Sequence, residues 1–179
     1  MLVKRLVVFA VIAVLPAFAQ ANLTKFSGRV VCDHSSLIGA RMSHANFGGF
    51  HADYCNLSGA DLSNANLSHA VLNHSDLSRA DLNHANLSRA VLNQSDLNHA
   101  NLSGAELSGA DLRTVENLAP KVVKAATNWD RAFYDDRMLK ALRLPADHNA
   151  RLAEQLKTEE ELQKRQNAEQ PAPKPSTPQ

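Results

Sequence analysis

From Leu37 to Leu112 an apolar residue returns at every fifth position, and in most units a small residue stands two places before it. The words read Ala60-Asp61-Leu62-Ser63-Asn64, Ala65-Asn66-Leu67-Ser68-His69 and Ala80-Asp81-Leu82-Asn83-His84. Of the 16 centres, all but Met42, Phe47 and Ala52 are leucine. Five residues match neither a helical face near 3.6 nor a strand alternating by two, so the chain must change direction within each unit. A repeat this strict marks a solenoid, in which each unit buries its apolar side chains only by stacking on the next.

The polar positions say how the unit turns. In extended backbone, residues two apart share a side, so Ala60 and Leu62 point one way and Asp61 the other. Because five is odd, the next alanine faces inward again only if the chain turns a corner at Ser63 and Asn64. Ser, Asn, Gly and His fill these corners, and the first three are common turn formers. A weaker period then counts the sides. The small slot becomes Ser35, Cys55, Ser75 and Ser95, and the outward slot becomes Val71 and Val91, each 20 residues from the last. Four sides per coil follow, and the repeat makes about four coils with stacked strands roughly 4.8 Å apart. One unit departs from the rule. Phe50 fills the small slot and Ala52 the large one, a swap that conserves core volume, with Gly48 and Gly49 easing the preceding corner.

These A-(D/N)-L-x-x words resemble the pentapeptide-repeat family, and over residues 37–113 the resemblance implies an all-β solenoid, a right-handed four-sided β-helix. The family is functionally diverse, so the likeness speaks to architecture more than to activity. Some cytoplasmic members are similar to duplex DNA in shape and charge and bind a type II topoisomerase, which supplies an alternative function.

Outside the repeat the character of the chain changes. Residues 1–21 have the build of a secretory signal: Lys4 and Arg5, an apolar run from Leu6 to Leu15, then Pro16 and small residues with Ala17-Phe18-Ala19 or Ala19-Gln20-Ala21 as the cleavage site. The apolar run is about half the roughly 20 residues needed to span a bilayer, so no membrane span is expected once the signal is removed. Residues 22–36, with Phe26, Val30 and Val31, read as a strand-like lid on the first coil.

After Arg113 helical signals begin, and residues 114–145 read as a helical cap. One helix is expected from Lys121 to Ala126 behind Pro120, and a second piece, capped by Thr127 or Asn128, through Leu142. This stretch holds Trp129, Phe133, Tyr134, Met138 and Leu139, and Asn128-Trp129 with Ala132-Phe133-Tyr134 resembles a tail that follows the coils in the same family. Residues 146–170 read as a charged helix, with Glu160–Lys164 and Glu161–Arg165 suited to i,i+4 contacts, and 171–179, with four prolines, as a disordered tail.

Charge and chemistry narrow the function. Residues 32–113 carry eight acids and four bases, and residues 114–179 balance at +1. Neither is a field for nucleic acid, and no basic patch with interleaved aromatics is present, so nucleic acid is not an expected partner. His34, His44, His69, His74, His84 and His99 all fall on outward corners. Those sharing a corner are separated by two coils and those on adjoining corners diverge, so no metal site is expected. Asp61 and Asp81 should stack on one side, and Asp76 and Asp96 on another, as solvated ladders. No Gly-x-Ser-x-Gly elbow, phosphate loop or His-Glu-x-x-His helix occurs, so neither a catalytic site nor a cofactor is expected.

Val71 and Val91 stand where neighbouring units carry Asp or Asn, and they mark a candidate contact patch. The only cysteines, Cys32 and Cys55, both fall inward, one coil and three residues apart. That separation is near the roughly 7 Å limit for Cα atoms of a bridge, leaving a disulfide or buried thiols as the alternatives. The whole reads as a non-catalytic exported solenoid, periplasmic or secreted, that offers rigid sides to a protein or envelope partner.

Overall fold

The computed structural model describes residues 36–169; the expected signal, all but the last residue of the lid, and the tail lie outside the described residues. Within the repeat every β-bridge is parallel and joins residues 20 apart: Asn56 to Asp76, Asp61 to Asp81, Asn66 to Asn86, Val71 to Val91. These four columns are the four sides of a coil. Each side is held by two rungs, as where the N–H of Leu62 donates to the carbonyl of Asp81 at 2.8 Å and the N–H of Asp81 to that of Ala60 at 2.9 Å. Leu and Ala fill the interior, with Leu62, Leu72, Leu82 and Leu92 at most 1% exposed. Phe50 is half-buried, and its ring centroid lies 5.2 Å from that of Phe47. Two serines also point inward without orphaned polar atoms. The Ser75 hydroxyl donates to the carbonyl of Ala52 and accepts from the N–H of Cys55, and that of Ser95 donates to Leu92.

Each corner closes with a hydrogen bond from the next small residue back to the leucine, 3.0 Å from Ala65 N to Leu62 O. The second corner residue has positive φ, 57° at Asn64, which is the pattern of a type II turn. The same left-handed backbone is adopted by Tyr54, Arg79, Arg89 and Gln94, which are not turn formers. A residue with a Cβ costs roughly 1–2 kcal/mol there, so the rungs on either side must impose the conformation. Gly59, at φ 65°, occupies one of these corners, and a Cβ added to it would meet nothing within 4 Å. Gly59→Ala should therefore lose about 1 kcal/mol in urea denaturation from backbone strain alone, and Gly59→Asn clearly less.

The repeat ends at Arg113, but the coil does not. Thr114 stands at a corner and lacks the positive φ of its predecessors, a conformation disfavoured for a β-branched residue. A fifth, irregular turn follows, in which Asp96 bridges Glu116, Glu106 bridges Thr127 and Asp111 bridges Phe133, with spacings of 20, 21 and 22 residues. The extra residues are taken up by helix α1, Pro120–Lys124, and by a 3₁₀ turn, Trp129–Arg131. Pro120 suits the first turn of α1, and Val123 is buried beneath it.

The continuous second helical piece expected through Leu142 is interrupted. Asn128 makes no side-chain capping bond, and Ala132 returns to extended backbone so that Phe133 can pair with Asp111. Only then does α2, Asp136–Leu142, begin, capped by Asp135, whose carboxylate accepts from the N–H of Met138 at 2.6 Å.

Helix α3, His148–Glu169, is locked to this fifth turn at its start. The N–H of Tyr134 donates to Asn149 Oδ1 at 3.2 Å, Asn149 Nδ2 donates to the Tyr134 carbonyl at 2.7 Å, and His148 Nε2 lies 2.9 Å from the carbonyl of Ala132. From there α3 leans back over the coil, where Leu156 reaches Gly109. Glu160 pairs with Arg89 and Glu159 with Arg131, so these acids serve tertiary contacts rather than the Glu160–Lys164 pair that the spacing suggested.

A candidate interaction surface

The acidic ladders on the sides are occupied by their own backbone. Asp61 Oδ1 accepts from the N–H of Ser63 at 3.1 Å and from its hydroxyl at 2.7 Å. Asp76 does the same for Ser78 N at 2.9 Å, Asp81 for Asn83 N at 3.0 Å and Asp96 for Asn98 N at 2.8 Å. An Asp or Asn in this slot bonds the amide two residues on and stabilises the corner. That bond is a physical reason for the D/N preference of the repeat, and the recurrence of Asp or Asn two residues before a polar corner was the available signal.

Val71 and Val91 have no oxygen to offer, and the chain compensates. The N–H of Asn73 donates instead to Asp53 Oδ1 of the preceding coil at 3.1 Å, and that of Asn93 to Asn73 Oδ1 at 3.2 Å. The Thr114 hydroxyl continues the row, 3.2 Å from Asn93 Oδ1. The fourth side therefore carries two parallel columns. One runs His51, Val71, Val91, Asp111, Phe133 by its bridges, and the other Asp53, Asn73, Asn93, Arg113. Both valines are half-buried, each with part of its side chain open on this side.

The cap aromatics separate into different roles. Tyr134 is fully buried, and its hydroxyl donates to the Trp129 carbonyl at 2.6 Å. Burial, and then the nearby Asp130 carboxylate, push its phenol well above the ordinary value. Trp129 packs half-buried against the same core. Phe133, by contrast, takes an outward slot and extends the valine column, with the Arg113 guanidinium 5.9 Å from its ring centroid. Arg113 also grips Asp111, from Nε to Oδ1 at 2.9 Å and from Nη2 to Oδ2 at 2.7 Å. Burial pushes the Asp111 carboxyl up, but the hydrogen bonds and charge of Arg113 outweigh it and hold the group below the usual carboxylate range.

The corners spread their titratable groups apart. His44 and His84 share a corner column with Asn64 between them, while His69 and His74 stand on adjoining corners. His74 stacks on Tyr54 with centroids 4.5 Å apart and planes 2° from parallel. Among the described residues no group of three or more His, Cys, Asp or Glu side chains is arranged to hold a metal ion. His34 and Cys32 lie outside the described residues. Cys55 is 1% exposed, and among the described residues there is no free cysteine.

A sequence profile described as pentapeptide repeats matches eight copies spanning residues 40–79, 55–94 and 75–113. The chain belongs to the pentapeptide-repeat family. Similar solved structures include a pentapeptide-repeat protein from the thylakoid lumen of Arabidopsis thaliana, 27% identical over 51% of this chain and 70% of that one, with a TM-score of 0.31. HetL, a pentapeptide-repeat protein involved in heterocyst differentiation regulation in the cyanobacterium Nostoc sp. strain PCC 7120, is 29% identical over 59% of this chain, with a TM-score of 0.32. This chain spans 56% of the length of HetL. Another pentapeptide-repeat protein of Nostoc PCC 7120 is 34% identical over 60% of this chain and 87% of that one, with a TM-score of 0.25. No functionally curated protein matches. No helix among the described residues of this pentapeptide-repeat protein is long and apolar enough to cross a membrane.

Proposed function

We propose that the protein is a non-catalytic, exported solenoid, coiled in the right-handed sense of its family, whose fourth side docks a protein or envelope partner. The observation that carries this reading is the substitution of Val71 and Val91 for Asp or Asn, together with the rung-to-rung bonds of Asp53, Asn73 and Asn93 that replace the lost corner bonds. An apolar strip maintained by its own hydrogen-bond ladder suits a contact face, since the centre of an interface excludes charge. The non-catalytic reading is supported by carboxylates already committed to backbone amides and by histidines dispersed over separate corners.

Export is tested by fractionation. The mature form should leave the cytoplasm and begin near Gln20 or Asn22; full-length chain retained inside would overturn export and revive the topoisomerase alternative. The docking face is tested by crosslinking and pulldown from the envelope fraction. Val71→Asp with Val91→Asp installs the residue that the repeat itself uses at this slot, so the fold should persist while the partner is lost. Capture at the level of the native protein would reject the face. Exported chains meet an oxidising compartment, and Cys32 and Cys55 are proposed to be bridged there. Thiol counting on denatured, unreduced protein should then find none; two free thiols reject the bridge.

A further inference from the structure

Four successive rungs of the fourth side are complementary to themselves. The bridges fix the outward column as His51, Val71, Val91, Asp111, and the corner column beside it runs Asp53, Asn73, Asn93, Arg113. Consider a two-fold axis along the strand direction, midway between the second and third rungs. It sets a second copy face to face with its coil axis reversed. Val71 then meets Val91, and Asn73 meets Asn93. At each end the imidazole of His51 meets the carboxylate of Asp111, and the carboxylate of Asp53 meets the guanidinium of Arg113. Arg113 spends two of its five donors on Asp111 and keeps the others for this contact.

The same operation fails on two of the other sides. It sets Asp76 against Asp96 on one and Asp61 against Asp81 on another, so like charges meet at the centre. On the third, Asn66 meets Asn86 without any apolar contact. We infer that the fourth side pairs with the fourth side of a second copy of this chain, antiparallel and isologous. This rests on the reading of that side as a docking face and names its partner. Phe133 extends the apolar strip one rung beyond the Asp111 end.

Four rungs about 4.8 Å apart on a single side of the coil fall short of the roughly 800 Å² per partner of a standard interface. The dimer therefore belongs to the weak class, with dissociation at roughly 1 μM to 1 mM, and it loosens as salt screens its charged ends.

Sedimentation equilibrium of the purified protein, from about 10 μM to about 1 mM, should show reversible monomer and dimer. Val71→Asp and Val91→Lys should each raise the dissociation constant at least ~10-fold, because each sets an unpaired charge against a valine. The double variant should return to within about threefold of the native value, since the antiparallel arrangement opposes each introduced charge to its opposite. Circular dichroism melting of all three variants confirms that the coil is intact. A monomer throughout, a dimer indifferent to the single substitutions, or a double variant weaker than either single overturns the pairing. A monomer whose envelope partner is still lost on Val71→Asp overturns self-pairing and leaves the docking face standing. A monomer whose partner is indifferent to it removes both.

Discussion

A chain ending at Arg113 should aggregate. Truncation there removes Glu116, Thr127 and Phe133, which bridge Asp96, Glu106 and Asp111, and so strips the backbone partners from the last regular coil on three sides. It also removes Leu118, Val123, Ala126 and Tyr134, each no more than 8% exposed, which lie in the same core as the final layer of leucine and alanine. The exposed end would combine an open apolar layer with unpaired strand groups, a template for edge-to-edge association, and solenoids depend on terminal caps for this reason. Size-exclusion chromatography should place the shortened chain in the void volume. A monodisperse monomer with an unchanged urea midpoint would show instead that residues 114–169 serve a partner and not the coil.

The periodic part of the fold was legible because every unit repeats the same physics. An odd period with paired small and large apolar residues demands corners, and the 20-residue recurrence of Ser75 and Ser95, or of Val71 and Val91, counts the sides. The fifth turn was not legible. It keeps the backbone pairing of the coil while abandoning its side-chain pattern, so Phe133 read as part of a helix although its backbone is extended and its ring belongs to the outward column. Local helical propensity around Asn128 to Leu142 yields there to the last rung, which needs a hydrogen-bond partner on that side.

The candidate surface was half legible. Val71 and Val91 stood out by residue type, but the ladder beneath them joins Asp53 to Asn73 and Asn73 to Asn93, each between coils. Its signal was the pairing of Val in the outward slot with Asn two residues later, a correlation that acquires meaning only when residues 20 apart are placed in register.

Leu82→Ala should cost about 2–5 kcal/mol, and Asn83→Ala next to it should cost almost nothing. Leu82 is 0% exposed in the middle of the coil, and the rungs hold the layers apart at fixed spacing: Leu62 N to Asp81 O is 2.8 Å and Leu82 N to Asn101 O is 2.9 Å. Layers tied this way cannot collapse onto a missing side chain, so the loss belongs in the upper half of that range. Asn83 contributes its backbone N–H to Asp81 Oδ1, a bond that alanine keeps. Its own Oδ1 is buried without a hydrogen-bond partner among the described residues. Removing an unsatisfied polar atom relieves a desolvation penalty of order 1–3 kcal/mol, which offsets the packing lost with the side chain. Urea denaturation of the two variants separates these effects by size. Equal losses would mean that the assignment of inward and outward positions, on which the reading of every side depends, is wrong.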